Sequence, residues 1–314
     1  MSAARRELDE LRALIARHAA FGEPTAADGV VQTAIEGVLV SSVSENLEAV
    51  APTSGTLLAV IAQGGKRMAV GERVYEYRAG QYLVASLDLP ITGSHWYATE
   101  AEPALGFGLV LEPSAVASVL LDASDQGALV APRRPLNRAA PPGVGVADAS
   151  RELLDAVVRI LRLLDSPRDR DVLAPMIKRE ILWRLITGPV GETVRQLGLA
   201  DSSLALVSRA VRRITAQYSE PFRVEDLARS CGMSTSAFHR SFQAVTGSSP
   251  IQFQKQIRLQ RSRLMLMTGA DDVATIGYRV GYDSASQFSR EYRRHFGLPP
   301  GRDAARLRAE PTLA

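Results

Sequence analysis

Two segments near the C-terminus place side chains that can read DNA bases on one side of a predicted helix. In CGMSTSAFHRSFQAVTG (231–247), Phe238 and Phe242 lie four residues apart, so both fall on one helix face and predict its buried side. The remaining polar residues then point outward. Arg suits guanine, Gln suits adenine, and Ser or His can hydrogen-bond a base or a phosphate. The side chains predicted to contact DNA in this segment are Ser236, His239, Arg240 and Gln243.

The chain repeats this pattern about 49 residues later. VEDLARSCGM (224–233) matches VATIGYRVGY (273–282), and Phe288 and Tyr292 supply the second aromatic pair. A small residue where two helices cross and a glycine that turns the chain at positive φ are typical of a helix-turn-helix. The positions that the repeat predicts are Ala228, Gly232, Gly277 and Gly281 for the turns, and Ser286, Gln287, Arg290 and Arg294 for the second DNA-contacting set.

Charge separates the same region from the rest of the chain. The whole sequence carries a net charge of +3, but residues 209–308 carry +9 and residues 1–208 carry −5. Such a division is expected when only one domain meets a polyanion. The basic segment and the repeat coincide, so we predict that residues 207–308 form a DNA-binding domain with helix-turn-helix units at 223–245 and 273–296.

The N-terminal part has the pattern of a sensor domain built from strands. After an amphipathic helix at 1–20, short runs of apolar, β-branched and aromatic residues alternate with glycine or proline about every 8 to 12 residues over 21–131. This pattern predicts a small antiparallel barrel or sandwich. Large amphipathic side chains at the ends of such strands often line a small-molecule pocket. The candidate pocket residues are Tyr75, Tyr77, Tyr82, His95, Trp96 and Tyr97.

Helical periodicity replaces the strand pattern after the proline-rich stretch PRRPLNRAAPP. Residues 132–206 are predicted to form a helical linker, with a continuous apolar face between residues 150 and 187 that either covers the barrel or pairs with a second subunit. A further helix is predicted between the two helix-turn-helix units. Ser249 caps it, Pro250 occupies its first position, and Gly269 ends it.

The basic segment resembles a known family. YDSASQFSREYRRHFGLPP (282–300) is close to the signature of the AraC/XylS transcription regulators, and LLAVIAQGGKRMAVGERVYEYRAGQYLVASLDLP (57–90) with APMIKREILWRLITGP (174–189) resembles the N-terminal domain of one branch. The resemblance implies a mixed, two-domain fold: an N-terminal cupin-like antiparallel β-barrel with flanking helices, then an all-α double helix-turn-helix. Two recognition helices would enter successive major grooves about 34 Å apart.

The resemblance also implies a function and a set of binding partners. It predicts a transcription regulator, more often an activator, whose barrel senses a small-molecule effector. Promoter DNA and RNA polymerase are the expected partners, with a possible homodimer. Among the departures from the family pattern, Ala285 offers only a methyl group at a position that is often polar in relatives.

Two other functions stay open on the sequence alone. One is a metal-free barrel enzyme fused to a DNA-binding domain, and the other is an architectural DNA binder without a ligand. Metal-dependent cupins need two or three His with a Glu, but of the four histidines only His95 falls within the barrel, so we expect no metal, no cofactor and no enzyme activity. No run of about 18 apolar residues occurs, and the only cysteine, Cys231, cannot form an internal disulfide. We therefore expect a cytoplasmic protein that does not enter the membrane.

Overall fold

Two antiparallel sheets make up most of the N-terminal half of the computed structural model, which describes residues 3–20, 29–44, 48–51, 55–71, 73–87, 89, 91–96, 98–125, 142–199, 202–269 and 271–309. The larger sheet contains, from edge to edge, β1 (Val30–Gln32), β2 (Val38–Val43), β9 (Ala104–Val110), β4 (Leu57–Gln63), β7 (Gln81–Ala85) and β10 (Val144–Asp148). The smaller sheet contains β3 (Glu48–Ala51), β8 (Ile91–Trp96), β5 (Gly65–Val70) and β6 (Arg73–Arg78). The predicted two-domain mixed fold with an antiparallel β domain is confirmed, with the strands divided between two sheets instead of one closed barrel.

Strand β10 lies inside the segment that the sequence pattern assigned to a helical linker. Its five residues pair antiparallel with β7, from Val144 opposite Ala85 to Asp148 opposite Gln81. Val144 is fully buried there, while Asp148 is exposed at the sheet edge. The strand was missed because five residues are too few for alternation to stand out beside a long helical pattern. The proline-rich stretch before it lies outside the described residues.

Five of the described helices share one apolar core with the sheets. They are α1 (Ala3–Ala20), α2 (Pro113–Asp125), α3 (Arg151–Arg162), α4 (Pro167–Thr187) and α5 (Gly191–Leu197). The apolar residues of α3, Leu153, Leu154, Val157 and Leu161, are buried in the same core as Leu58 of β4 and the other sheet residues. The apolar face of α3 is therefore buried within the chain. It covers the β domain and is not available to another subunit.

Seven of the described helices form the C-terminal part. They are α6 (Ser203–Ala216), α7 (Val224–Ser230), α8 (Thr235–Thr246), α9 (Pro250–Thr268), α10 (Val273–Arg279), α11 (Ala285–Phe296) and α12 (Pro300–Ala309). The predicted boundaries of α9 are confirmed: Ser249 accepts a hydrogen bond from the Gln252 N–H and forms a capping box, and Gly269 follows the helix at φ 69°.

The two helix-turn-helix units are attached to the molecule in different ways. Phe238, Phe242 and Val245 of α8 belong to the core that includes the sheets. Phe288 and Tyr292 of α11 belong to a separate core, which also contains the C-terminal half of α9 and part of α12. The first unit is therefore continuous with the N-terminal domain, and the second is held mainly by α9. Among the described helices, none is long and apolar enough to cross a membrane.

Candidate nucleic-acid interface and sensor site

The first helix-turn-helix unit consists of α7, a short turn and α8. Gly232 in the turn has φ 66°, a conformation that favours glycine, and Ala228 is buried where the two helices cross. Ser234 caps α8 by accepting a hydrogen bond from the Ala237 N–H at 3.3 Å. These local signals make α8 begin at a defined residue, which fixes the side of the helix that each later residue occupies.

Helix α8 has one aromatic side and one polar side. The rings of Phe238 and Phe242 are fully buried with their centroids 5.5 Å apart, and Phe253 of α9 meets Phe242 edge-on at the same distance. These ring contacts hold the aromatic side of α8 against α9. The four residues predicted to contact DNA, Ser236, His239, Arg240 and Gln243, are all exposed. Gln243 also donates a hydrogen bond to the Gly247 carbonyl at 3.3 Å, which holds its side chain along the end of the helix.

The second unit, formed by α10 and α11, depends more strongly on its glycines. A Cβ atom at Gly277 would lie 2.9 Å from the Phe288 ring. Gly281 has φ 93°, and a Cβ atom there would lie only 2.2 Å from the Ser219 carbonyl oxygen. Gly277 therefore allows the two helices to cross closely, and Gly281 allows the turn to pass against the segment before α7.

Helix α11 exposes Ser286, Arg290 and Arg294, but Gln287 differs from them. Gln287 is half-buried and donates a hydrogen bond to Glu291 at 3.4 Å. Glu291 also accepts from Lys255 of α9 at 2.8 Å and from the Tyr282 hydroxyl at 3.1 Å. Burial acts to raise the pKa of Glu291, but these three donors outweigh it and hold that pKa below its ordinary value. The charged carboxylate therefore holds the Gln287 amide close to the helix.

Two arginines of α9 hold the second unit in place. Arg258 donates to the Tyr218 and Ser219 carbonyls at 2.7 and 3.1 Å and to the Gly281 carbonyl at 2.6 Å. Arg263 is buried and donates to Asp303 of α12 at 3.0 Å. Asp303, which is also fully buried, accepts from the Tyr292 hydroxyl at 2.8 Å. The orientation of α11 is thus set by α9 on one side and by α12 on the other.

In the N-terminal domain, three polar side chains share one row of the smaller sheet. Lys66 of β5 lies directly opposite Tyr77 of β6 and opposite His95 of β8. Residues that face each other across antiparallel strands project from the same side of the sheet. Met68 of this side is buried in the core, whereas Arg67 on the other side is exposed. The row therefore lies on the inner side of the sheet, where Tyr75 is also placed by its position opposite Met68.

The remaining candidate pocket residues lie elsewhere. Tyr82 is on the side of the larger sheet that meets the helices, where a Cβ atom on Gly188 would lie 3.5 Å from its hydroxyl. Trp96 lies opposite Gly65 on the outer side of the smaller sheet, and its indole packs over that glycine so closely that a Cβ atom would overlap it. Tyr97 lies outside the described residues. Of the six candidates, the fold brings Tyr75, Tyr77 and His95 together.

Within the described part of the chain, no group of three His, Cys, Asp or Glu residues could hold a metal ion. Cys231 is buried at the end of α7, and its thiol lies 3.3 Å from the Leu206 carbonyl oxygen, to which it can donate. A model of the AraC-type transcriptional regulator N-terminus matches residues 34–193, and a helix-turn-helix domain model matches residues 227–306.

This chain belongs to the AraC-type transcriptional regulators.

Curated relatives of this AraC-type regulator match parts of it. The transcriptional regulator ArgR of Pseudomonas aeruginosa is 26% identical over 144 residues, which covers 46% of this chain and 44% of ArgR. The regulator AlkR of Acinetobacter baylyi is 34% identical over 94 residues, which covers 30% of this chain and 31% of AlkR. The chain therefore spans less than half the length of these two relatives.

Two solved structures are also similar to this chain. The crystal structure of an apo ToxT variant from Vibrio cholerae is 11% identical, with a TM-score of 0.49, and the match covers 88% of this chain and all of that one. An AraC-type regulator from Chromobacterium violaceum is 31% identical over 35% of this chain and 96% of that chain, with a TM-score of 0.33.

The structure of this AraC-type regulator adds site residues that the sequence pattern did not single out. Lys66 stands in KRMAV (66–70), where alternation with exposed Arg67 would have placed it on the inner side of the sheet. Arg258, Glu291 and Asp303 gave no such signal. Their partners lie on other helices, and a contact across tens of residues leaves no periodic trace in a single sequence.

Proposed function

We propose that this chain is a sequence-specific DNA-binding transcription regulator whose N-terminal domain senses a small-molecule effector. One observation carries the proposal: two capped helices, α8 and α11, each bury an aromatic side and expose a side rich in Arg, Ser, His and Gln. Such side chains donate hydrogen bonds to base edges and to phosphates. The net charge of +9 over residues 209–308 supports the same function.

The linker helix α9 suits this function because it holds both units on one rigid element. Its 19 residues span about 28 Å. One turn of DNA is about 34 Å, so the two recognition helices can reach successive major grooves on one side of the double helix. We therefore expect an operator with two short motifs whose centres are about 10 base pairs apart.

The contact between the N-terminal domain and α8 supports a regulatory role for the N-terminal domain. The last carbonyls of a helix have no partner within it. In α8, the Ala244 carbonyl accepts from Arg73 at 3.0 Å, and the Val245 carbonyl accepts from the Gly143 N–H at 2.9 Å. Both donors belong to the N-terminal domain. The end of the first recognition helix is thus completed by the sensor, and we call this contact the seam.

The two backbone segments at the seam approach each other so closely that the contact requires glycine. A Cβ atom on Gly71, in the turn between β5 and β6, would lie 2.7 Å from the Gly247 carbonyl oxygen. A Cβ atom on Gly247 would in turn lie 2.8 Å from the Val70 carbonyl oxygen. Backbones in such contact move together, so an effector that favours one arrangement of the two sheets shifts the population of α8 orientations.

A second copy of the chain is the proposed partner of α2 and α4. Leu121 of α2 and Val172 and Met176 of α4 are about two-thirds exposed, beside a surface cavity of about 360 Å³ lined in part by Trp183. Exposed apolar side chains in such number mark an interaction surface. The face also carries an ion pair between Arg179 and Asp122, so two copies related by a two-fold axis can offer each other both charges.

Met176→Glu tests the dimer, with Leu199→Glu as a matched control because Leu199 is also exposed but lies after α5. We expect the first variant to sediment as a monomer at micromolar concentration and the second to remain a dimer. Sedimentation of the unchanged chain as a monomer would contradict the proposal. Contact with RNA polymerase, activation of transcription and a cytoplasmic location are also part of the proposed function, on the strength of the family resemblance.

Chromatin footprinting of the tagged protein in its host tests the function as a whole. We expect a few sharp sites, each with two motifs about 10 base pairs apart, and a response of the neighbouring genes. A diffuse signal that follows DNA content would favour an architectural DNA binder. Turnover of a bound metabolite by the purified chain would favour the fused-enzyme alternative.

A further inference from the structure

A short segment of the first helix-turn-helix unit lies against the turn of the second one. Tyr218, Ser219 and Glu220 follow α6 and precede α7. A Cβ atom on Gly281, in the turn between α10 and α11, would lie 2.2 Å from the Ser219 carbonyl oxygen. Two backbone segments that are far apart along the chain are therefore in close contact. We call this contact of residues 218–220 with Gly281 the inter-unit contact.

The side chain of Tyr218 contributes to both units. It is partly buried, and it packs against the core that contains α8 as well as against the separate core that contains α11. The guanidinium of Arg261, on α9, lies over its ring, with 5.9 Å between the Arg261 Cζ atom and the ring centroid. The two units thus share one side chain at the inter-unit contact, in addition to the helix α9 that joins them.

Arg258 of α9 connects the two sides of the inter-unit contact with a single side chain. Its Nε atom donates to the Tyr218 carbonyl at 2.7 Å, and its Nη2 atom donates to the Ser219 carbonyl at 3.1 Å. Its Nη1 atom donates to the Gly281 carbonyl at 2.6 Å. A guanidinium is planar and its donors are fixed relative to one another, so the three bonds hold the two backbone segments in one orientation. Because the guanidinium is charged, each bond is stronger than one between neutral groups.

The recognition helix of the second unit is connected to the same turn. The Tyr282 hydroxyl, directly after Gly281, donates to Glu291 of α11 at 3.1 Å. Lys255, one turn before Arg258 on α9, donates to the same carboxylate at 2.8 Å. A change in the position of Gly281 therefore displaces Tyr282 and, through Glu291, the helix α11.

We propose that Arg258 is a positioning residue, which fixes the angle between the two recognition helices and thereby selects the interval between the two half-motifs of the operator. A rigid pair of units loses little conformational freedom when it binds the correct interval. It cannot follow a half-motif that one extra base pair rotates by about 34° and displaces by about 3.4 Å. Arg258 acts through the backbone positions of the two units. The inference rests on the proposed function, because it concerns how the two units share one operator.

The experiment starts from a randomised pool of DNA duplexes, from which the purified full-length chain selects its two half-motifs. The selected duplex, and versions with one base pair added to or removed from the interval, are then the probes in gel-shift titrations. For the unchanged chain, we expect the altered intervals to bind about tenfold or more weakly than the selected one. For Arg258→Met, the difference should fall below about threefold, mainly because the selected interval is bound less tightly. Equal binding of all intervals by the unchanged chain, or an undiminished preference in Arg258→Met, would overturn the inference.

Gln254→Met is the matched control, because it separates the inter-unit contact from general stability. Gln254 is a buried residue of α9 that donates to the Tyr218 and Glu220 carbonyls at 3.0 and 2.6 Å, and both acceptors belong to the segment before α7. The variant should be less stable but should keep the interval preference of the unchanged chain. An equal loss of interval preference in Gln254→Met and Arg258→Met would show that any loosening of residues 218–220 has this effect, and would overturn the specific role of Arg258.

Arg258→Lys tests the same role in a chain that keeps the positive charge. One ammonium nitrogen replaces three nitrogens spread over a plane, so it cannot hold all three carbonyls at their present positions. We expect an interval preference between those of the unchanged chain and Arg258→Met. Circular dichroism establishes that each variant is folded at the temperature of the titration. If Arg258→Met is unfolded, the lysine variant decides alone: a reduced preference supports the inference, and an unchanged preference overturns it.

The inference and the proposed function fail in different ways. If the unchanged chain selects no two-part motif from the pool, the proposed function is overturned and the inference with it. If it selects such a motif, but the unchanged chain and the Arg258 variants show the same interval preference, only the role of Arg258 is overturned. A two-part motif whose interval preference is lost in Arg258→Met and kept in Gln254→Met supports both.

Discussion

At the scale of single residues, the proposed DNA reading depends on exposed side chains of α8 and α11. Arg240 and Arg290 are exposed, and both occupy the outward side of their helices. Arg240→Ala and Arg290→Ala should each weaken operator binding by about 1 to 3 kcal/mol, and the loss should change with the base beneath the arginine. Gel-shift titrations with operator variants measure this loss of affinity.

Arg168→Ala is the control for these variants, because it removes an exposed arginine from the start of α4. It should leave operator affinity unchanged. An equal loss of binding to random DNA and to the operator in Arg240→Ala or Arg290→Ala would show that the arginines contact phosphate, and the base-reading assignment would then be wrong.

The two turn glycines differ in what an added methyl group would meet. Gly232 has a positive φ but nothing within 4 Å of an added Cβ atom, whereas Gly281 combines a positive φ with the Ser219 carbonyl at 2.2 Å. Gly232→Ala should therefore lower the free energy of unfolding by only about 1 to 2 kcal/mol, the cost of a residue with a Cβ atom at positive φ. Gly281→Ala should lower the free energy of unfolding clearly more, because either the turn or the segment at Ser219 must move. Urea unfolding followed by helical circular dichroism compares the two, and equal losses would contradict the steric account.

The outward residues could be predicted from sequence because the spacing of two aromatic residues determines the buried side of a helix. The environment of Gln287 could not. It depends on Glu291, which in turn is held by Lys255 on another helix, 36 residues away. Likewise, alternation indicates that Tyr82 and Tyr77 are strand residues, but which sheet face meets the helices depends on tertiary packing.

At the scale of elements, α12 is held in place by the buried carboxylate of Asp303. Burial acts to raise the pKa of Asp303, but hydrogen bonds from Tyr292, Arg306 and Arg263 outweigh it and hold that pKa below its ordinary value. A lowered folded-state pKa stabilises the protein fully above the unfolded value of about 3.9, and this stabilisation is lost as the pH falls through the folded-state pKa.

Asp303→Asn tests this account. At neutral pH the variant should lose about 3 to 5 kcal/mol of stability in the second helix-turn-helix unit, because buried Arg263 loses its ion pair with the Asp303 carboxylate. The difference from the unchanged chain should narrow below pH 4, where protonation of Asp303 removes the same charge. Thermal melts between pH 3 and 7 measure both effects, and a difference that is independent of pH would contradict the role of the charge.

Elements differed in how far the sequence defined them. Helix α9 could be predicted at both ends, because Ser249, Pro250 and Gly269 act within one turn of the helix. Strand β10 could not, because it is stabilised by pairing with β7, about 60 residues earlier in the chain. Long-range pairing rather than local preference also determines that the strands form two sheets.

At the scale of the whole molecule, the proposed coupling between the N-terminal domain and α8 runs through the seam. Gly71→Ala would push a methyl group against the Gly247 carbonyl and should separate them. We expect faster hydrogen exchange at the end of α8 and loss of effector-dependent DNA binding, while the sheets stay folded.

Gly80→Ala is a matched control for the seam. Gly80 also has a positive φ in a turn between strands, but nothing lies within 4 Å of the added atom. Gly80→Ala should produce the same local backbone strain. Hydrogen exchange in α8 and effector-dependent DNA binding should both stay unchanged. If both variants lose the response to the same degree, strain in the β domain is the cause, and the seam is not the connection.

The second helix-turn-helix unit is held mainly by α9. The length of α9 therefore sets both the distance and the rotation of that unit relative to the first one. One residue added to a straight helix advances its end by about 1.5 Å but turns it by about 100°. DNA turns only about 34° for each base pair. A longer α9 would hence leave the second unit at nearly the same height and facing the wrong side of the duplex. Restoring the angle takes about three base pairs, which displaces the target by about 10 Å. In the proposed operator, we therefore expect the interval between the two half-motifs to be fixed by the length of α9.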